Sequence, residues 1–284
     1  MNFQPKLKEV EMKNMVKNIC AAMVISLCAA GHLSATENNP NNDNKFMEEN
    51  LNLTQEWDKT FPQSDKVDHK KITFHNRYGI TLAADLYVPK NVTGKLPAIA
   101  ISGPFGAVKE QASGLYAQTL AERGFLTIAF DPSYTGESSG QPRYVASPDI
   151  NTEDFSAAVD YLSTRDDVDA ERIGILGICG WGGMALNAAA IDTRIKATVT
   201  ATMYDMSRVN ANGYFDSMNA DARHELRRQL NAQRTEDYRN GTFALGGGVV
   251  DPLPADAPQF VKDYHAYYKT PVSYTHLRAH ETKA

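Results

Sequence analysis

The sequence has few cysteines and no excess of positive charge, and each shortage excludes a class of protein. Three cysteines among 284 residues are too few for a disulfide-stabilised scaffold. The formal net charge of −5 argues against nucleic acid as a partner, because binding to phosphates needs a basic surface. No cluster of His, Cys and Asp has the spacing of metal ligands, so we predict neither a metal nor another cofactor.

A hydrophobic run long enough to cross a bilayer, about 20 residues, is also lacking. The apolar run over residues 19–30 is shorter; Lys13 and Lys17 precede it, and small residues follow it up to Ala35. This pattern predicts a secretory signal peptide over residues 1–35, and hence a periplasmic or secreted protein with no stable membrane insertion after cleavage. The alternative is a buried N-terminal helix.

The middle of the chain has the pattern of an α/β fold. Residues 36–66 begin with a stretch rich in Asn, which predicts a flexible linker. A short helix is predicted within it, around residues 46–57. From residue 67 to residue 205, apolar strands alternate with helical segments of ten to fifteen residues, which predicts βαβ units on a mostly parallel, doubly wound sheet. The predicted hairpin covers residues 72–74 and 80–88; further strands cover 96–101, 125–130, 172–176 and 195–202; helices cover 112–123, 153–165 and 180–191.

The alternation stops after Asp205. A charged helix over residues 221–239 and an aromatic helix over residues 259–268 follow, separated by a loop rich in Gly and Pro. Because these helices have no strands between them, we predict that residues 206–271 form a helical lid above the sheet.

Residues 177–183 (GICGWGG) form the most informative segment, because they join a predicted strand to a helix of small residues. A nucleophile at such a sharp turn needs small neighbours, which Gly177 and Gly180 provide. The helix N-terminus would favour a thiolate at Cys179 and lower its pKa, and the Gly180 N–H would face a developing oxyanion. Removal of the signal peptide would leave Cys179 as the sole cysteine. We therefore predict that Cys179 is a catalytic nucleophile.

This segment resembles the nucleophile elbow of the α/β-hydrolase superfamily, and its cysteine is similar to that of dienelactone-hydrolase-like members. Residues 102–106 (SGPFG) resemble the family's loop after the third strand, which implies that the Phe105 N–H is the second oxyanion donor. Residues 131–138 resemble the D-x-x-G-x-G-x-S loop, with Glu137 in place of the second Gly. The resemblance implies hydrolysis of a small-molecule carboxylic ester, lactone or thioester through Cys179.

The resemblance also implies a histidine base and an acid after later strands, and only six of the usual eight strands are predicted. Asp205 is a possible acid, although it could equally cap the following turn. The histidines of the body occupy positions typical of surface or paired histidines: His69, His75, His224 and His265. We therefore expect the base and acid to lie beyond residue 271 of an intact gene, and this chain to be labelled at Cys179 without turnover.

Two other functions fit part of the pattern. Gly180, Gly182 and Ala185 match the G-x-G-x-x-A fingerprint of nicotinamide-dependent oxidoreductases, and Asp205 follows at a suitable distance. A non-catalytic domain with an apolar pocket is the other alternative, because aromatic residues occur near the elbow and in the lid. They are Phe105, Tyr134, Trp181, Tyr264, Tyr267 and Tyr268.

The end of the sequence is unusual. Residues 272–282 read VSYTHLRAHET, which resembles one translated frame of a common sequencing adapter. We therefore predict that residues 272–284 are a non-native tail and that His276 and His280 have no function.

Overall fold

The computed structural model describes residues 49–246, 249 and 251–273, all of which belong to the unit Phe46–Ala284. The predicted signal peptide over residues 1–35, the linker up to residue 48 and the tail from residue 274 lie outside the described residues. Export and the non-native origin of the tail therefore stay predictions.

A mixed, mostly parallel sheet of six strands forms the centre of the described fold, in the order β1-β2-β4-β3-β5-β6. β1 and β2 form an antiparallel hairpin, β2 is antiparallel to β4, and the remaining pairs are parallel. This arrangement confirms the predicted α/β class. The strands are β1 (Val67–His75), β2 (Thr81–Pro89), β3 (Leu96–Ser102), β4 (Leu126–Phe130), β5 (Val168–Ile178) and β6 (Ile195–Ala201).

Helices pack on both faces of the sheet, which makes it doubly wound. They are α1 (Ala112–Ala121), α2 (Pro148–Ser163) and α3 (Gly180–Ile191). One core contains Phe155 of α2 and Met184 of α3, and the other contains Ala117 of α1. Every residue of β4 is buried, because side chains on both faces of this central strand are covered.

The segment after β6 contains helices but no strand among its described residues. It forms α4 (Met206–Asn212), a 3₁₀ turn (Tyr214–Asp216), α5 (Ala220–Asn240) and α6 (Gln259–Tyr268). The helices α5 and α6 lie where the sequence predicts them, and none of the residues in these helices is buried. No helix in the described part of the chain has the length and apolar character needed to cross a membrane.

Residues 49–66 differ from the prediction, because the described part of the predicted helix over residues 46–57 is not helical. Side-chain bonds hold this segment instead. The Thr54 N–H donates to Glu137 at 2.7 Å, the Trp57 indole donates to the Phe61 carbonyl at 2.8 Å, and Lys59 is buried. The bond from Thr54 reaches a residue 83 positions away, and such a long-range contact takes the place of the local hydrogen bonds on which a helix prediction depends.

Candidate active site

Cys179 lies at the sharp turn between β5 and α3 that the sequence predicts. Its backbone has φ 57° and ψ −124°, and a positive φ is uncommon for a residue that has a side chain. The Cys179 N–H donates to the Ala201 carbonyl at 2.8 Å, and the Cys179 carbonyl accepts from Gly182 at 3.0 Å. These bonds fix the strained turn between β5, β6 and the start of α3.

Glycines are required around this turn because backbone and side-chain atoms of other residues lie where a Cβ atom would be. A side chain at Gly177 would overlap the Trp181 carbonyl, so β5 and the first turn of α3 can meet only at glycine. A Cβ at Gly180 would overlap the Phe105 ring, and one at Gly182 would lie 2.8 Å from Met203 Cγ. The positions that side chains at these two glycines would take are thus filled by other side chains of the protein.

The thiol of Cys179 is half-buried, and its pKa is raised, whereas the sequence analysis predicts a lowered pKa. Burial raises the pKa of Cys179, and the hydrogen bond from the Gly180 N–H opposes the rise without overcoming it. The sulfur packs against an apolar cluster that includes Leu176 and Ile178. A thiolate there would lose water without gaining a cation among the described residues, so the prediction of a lowered pKa is wrong for this part of the chain.

The loop after β3 lies against the elbow, as the oxyanion-hole prediction requires. Gly103 has φ +99°, and a Cβ there would lie 2.5 Å from the Ile178 carbonyl, so the two backbones nearly touch. The Phe105 ring covers Gly180 and meets the Trp181 ring edge-on, with ring centres 4.4 Å apart. The structure thus brings Phe105, Gly180 and Cys179 together, while their catalytic roles stay predictions.

Asp205 does not have the setting of a catalytic acid. Its side chain is exposed and caps α4, accepting hydrogen bonds from Ser207 Oγ at 2.7 Å and from the Arg208 N–H at 3.0 Å. The bond from Ser207, followed by the bond from Arg208, lowers the pKa of Asp205. The structure therefore favours the capping role that the sequence analysis left open.

The described histidines do not supply a base for Cys179. His69 Nε2 lies 2.7 Å from the buried carboxylate of Asp85, and His265 Nε2 lies 3.5 Å from Asp251. Within the described ranges, no histidine is among the groups that shift the pKa of the Cys179 thiol. Any histidine base would therefore come from elsewhere.

Sequence reasoning missed a buried charge network behind the loop after β3. Lys109 Nζ contacts Asp131 at 2.8 Å, Glu137 at 2.6 Å and Glu110 at 2.5 Å. Lys71 joins the network at Glu137, 2.7 Å away. The one signal for it in the sequence was Glu137, which occupies a position where the resemblance expects Gly.

The described part of the chain also has a cavity of about 730 Å³, but it is distant from the predicted chemistry. Residues of β1, α2 and the segment 49–55 line it, and no predicted site residue is among them. We therefore place the candidate site at Cys179, where the geometry is strained, and not at this cavity. No group of three or more His, Cys, Asp or Glu residues in the described ranges could hold a metal ion.

Comparison with known proteins identifies the family. The family described as X-Pro dipeptidyl-peptidase (S15 family) matches residues 78–248. The uncharacterized protein PA2218 of Pseudomonas aeruginosa is 60% identical over 260 residues, which cover 91% of this chain and 68% of PA2218. The chain belongs to the S15 family.

Solved structures have the same fold as this S15-family chain. The crystal structure of PA2218 matches with a TM-score of 0.77 and 64% identity, over 80% of this chain and 71% of that one. The α/β-hydrolase GrgF from Penicillium sp. sh18 matches with a TM-score of 0.52 and 20% identity, over 65% and 60% of the two chains. The second likeness concerns the fold alone, and together with the six-stranded sheet it confirms the predicted α/β-hydrolase fold.

One further relative has a named activity. The thiohydrolase aneE of Aspergillus aculeatus is 29% identical over 137 residues, which cover 48% of this chain and 42% of aneE. The relatives of this S15-family chain thus include a hydrolase. The dienelactone-hydrolase-like branch and the cysteine nucleophile stay predictions.

Proposed function

We propose that this S15-family protein is a hydrolase that cleaves a carboxylic ester, lactone or thioester through Cys179. The observation that carries the proposal is the elbow itself. A half-buried thiol lies on a strained turn between β5 and α3, with the Gly180 N–H at the sulfur and the Phe105 loop beside it. Such strain in a folded protein is most often found where a side chain acts on a ligand.

The proposed reaction has two steps. Cys179 Sγ attacks the carbonyl carbon and gives its proton to a base, and the N–H groups of Gly180 and Phe105 bind the oxyanion that forms. Each such donor stabilises the transition state by about 3–4 kcal/mol. The alcohol or thiol then leaves with a proton, and water hydrolyses the thioester that remains on Cys179.

A histidine base would come from outside the described residues. Because burial raises the pKa of Cys179, the thiol is protonated at neutral pH and does not attack unaided. Within the described ranges no histidine acts on the thiol, so we propose that a histidine and its acid are contributed by another part of the polypeptide.

A thioester suits this nucleophile particularly well. Attack on a thioester exchanges one carbon–sulfur bond for another, so the intermediate on Cys179 is close in energy to the substrate. The likeness to the thiohydrolase aneE supports this choice over 48% of the chain. The family description, an X-Pro dipeptidyl-peptidase, also implies acyl transfer, which is the same chemistry at an amide carbonyl.

Trapping of the acyl intermediate tests the proposal. The full chain is incubated with p-nitrophenyl acetate at neutral and at alkaline pH, and the acetylated residue is located by peptide mass mapping. We expect one acetyl group on Cys179, formed faster at alkaline pH, where more of the thiol is ionised. Cys179→Ala should lose the modification. Equal acetylation of Cys179→Ala would remove Cys179 from the mechanism.

A further inference from the structure

Aromatic side chains from α6 and from the segment between β6 and α5 form a continuous cluster, consisting of Tyr204, Tyr214, Phe260 and Tyr264. Phe260 and Tyr264 lie one helical turn apart on α6, with ring centres 6.1 Å apart. The Tyr214 ring lies 5.6 Å from Phe260 and 6.0 Å from Tyr204. The hydroxyls of Tyr204 and Tyr264 are hydrogen-bonded at 3.0 Å, which closes the cluster on itself.

This aromatic cluster adjoins the elbow. The Tyr204 N–H donates to the Cys179 carbonyl at 3.4 Å, so the first ring of the cluster is joined to the nucleophile through the main chain. Burial raises the pKa of Tyr214, with smaller contributions from Tyr204 and Cys179. The hydrogen bond to Tyr204 raises the pKa of Tyr264, and burial and Cys179 act in the same direction. The thiol therefore lies within electrostatic range of both rings.

The cluster is only partly covered, unlike rings that belong to a core. Tyr214 is 46% exposed and Phe260 is 41% exposed. Exposed aromatic rings grouped beside a strained nucleophile are typical of a ligand surface. A ring of a ligand can pack on such rings edge-to-face or offset-stacked.

Two charged groups near the cluster, Asp205 and His265, are engaged elsewhere. Asp205 accepts from Ser207 and Arg208, and His265 on α6 lies 3.5 Å from Asp251. Within the described ranges no charged side chain shifts the pKa of Cys179. An X-Pro dipeptide would carry a terminal ammonium and would need a carboxylate partner, whereas an uncharged ring needs none.

We propose that the aromatic cluster binds an uncharged aromatic ring of the substrate, so that the preferred substrates are esters or thioesters that carry such a ring. This inference rests on the proposed function, because it assigns the substrate class of the same nucleophile. Phe260 and Tyr214 are the specificity-determining residues, and the Tyr204–Tyr264 hydrogen bond positions α6 over the thiol.

Competing alkylation rates test the inference. Iodoacetamide and N-benzyl-iodoacetamide each form a carbon–sulfur bond at Cys179, release iodide and leave the thiol proton to the buffer. For the protein, the rate with N-benzyl-iodoacetamide is divided by the rate with iodoacetamide, both measured at alkaline pH by peptide mass mapping. The same ratio is measured for glutathione, and the two ratios are compared. We expect the benzyl probe to be favoured about tenfold, as a binding advantage of one aromatic contact implies.

Three variants locate the effect. Phe260→Leu keeps an apolar side chain but removes the ring, and should bring the ratio close to that of glutathione. Tyr264→Phe keeps the ring but loses the hydrogen bond that positions α6, and should give a ratio between those of the parent protein and Phe260→Leu. Tyr238→Leu is the matched control, because Tyr238 is 91% exposed on α5 and lies outside the cluster; its ratio should equal that of the parent protein.

The outcomes separate the two proposals. Labelling of Cys179 with a ratio equal to that of glutathione would overturn the inference and leave the proposed function standing. A high ratio that survives Phe260→Leu would also overturn it, since the ring would then be bound elsewhere. If neither probe labels Cys179 even at alkaline pH, the proposed function fails and this inference fails with it.

Discussion

Replacing Glu110 by Gln is expected to remove a large pH dependence of stability. Glu110 is fully buried, and its Oε2 atom has no hydrogen-bond partner among the described residues. Burial raises the pKa of Glu110 from 4.5 to about 7; Asp131 and Asp85 add to the rise, while Lys109 and Lys71 oppose it. A carboxyl group in this position resists ionisation chiefly because it is removed from water, and the neighbouring carboxylates of Asp131 and Asp85 add to the effect.

The direction of the effect follows from proton binding. Between pH 4.5 and about 7 the folded protein holds a proton on Glu110 that the unfolded chain has lost. The free energy of unfolding therefore falls as pH rises through this window. At 1.36 kcal/mol per pKa unit, the fall amounts to about 3 kcal/mol. That is a large share of the 5–15 kcal/mol by which domains are typically stable.

Urea unfolding at a series of pH values from 4.5 to 8 measures the effect. The parent protein should lose about 3 kcal/mol more than Glu110→Gln across the series, because Gln cannot ionise. Glu122→Gln is the matched control, since Glu122 is exposed at the end of α1, and its profile should follow that of the parent. Parallel profiles for the parent and Glu110→Gln would refute the reasoning.

Two further variants test the elbow and its surroundings. Gly177→Ala should lower the free energy of unfolding by about 1–3 kcal/mol, because the added Cβ would overlap the Trp181 carbonyl. Gly183→Ala, whose Cβ would lie 3.8 Å from the Tyr204 carbonyl, should change urea unfolding little. Asp205→Ala should cost about 1 kcal/mol through loss of the α4 cap and leave acetylation of Cys179 intact. Loss of acetylation in a folded Asp205→Ala protein would contradict the capping role.

The secondary structure of the core could be predicted because its signals are local. Strands β3 and β4 are continuous apolar runs, and α3 begins and ends where the glycines and small residues indicate. The predicted helix over residues 46–57 was wrong because its described part is held by long-range bonds such as that between Thr54 and Glu137. A sequence window contains no information about a partner 83 residues away.

The position of Cys179 could be predicted, but its pKa could not. The helix N-terminus that favours a thiolate is visible in the sequence, whereas the burial that opposes it depends on tertiary packing. The aromatic cluster is a similar case. Phe260 and Tyr264 have helical spacing, but Tyr214 joins them only through the path of the chain after β6.

Glu137 shows how one departure from a family pattern can connect separate parts of a structure. Its carboxylate contacts Lys109, whose own N–H donates to Asp131 at 2.7 Å and thereby fixes the end of the loop that carries Phe105. The same carboxylate accepts from the Thr54 N–H, in the segment predicted as a linker. A glycine at position 137 would leave the buried Lys109 with fewer anionic partners and would remove the bond that Thr54 makes to the loop after β4. The predicted boundary at residue 67 therefore divides residues that share one charge network, and the scaffold of the candidate site begins before the first strand.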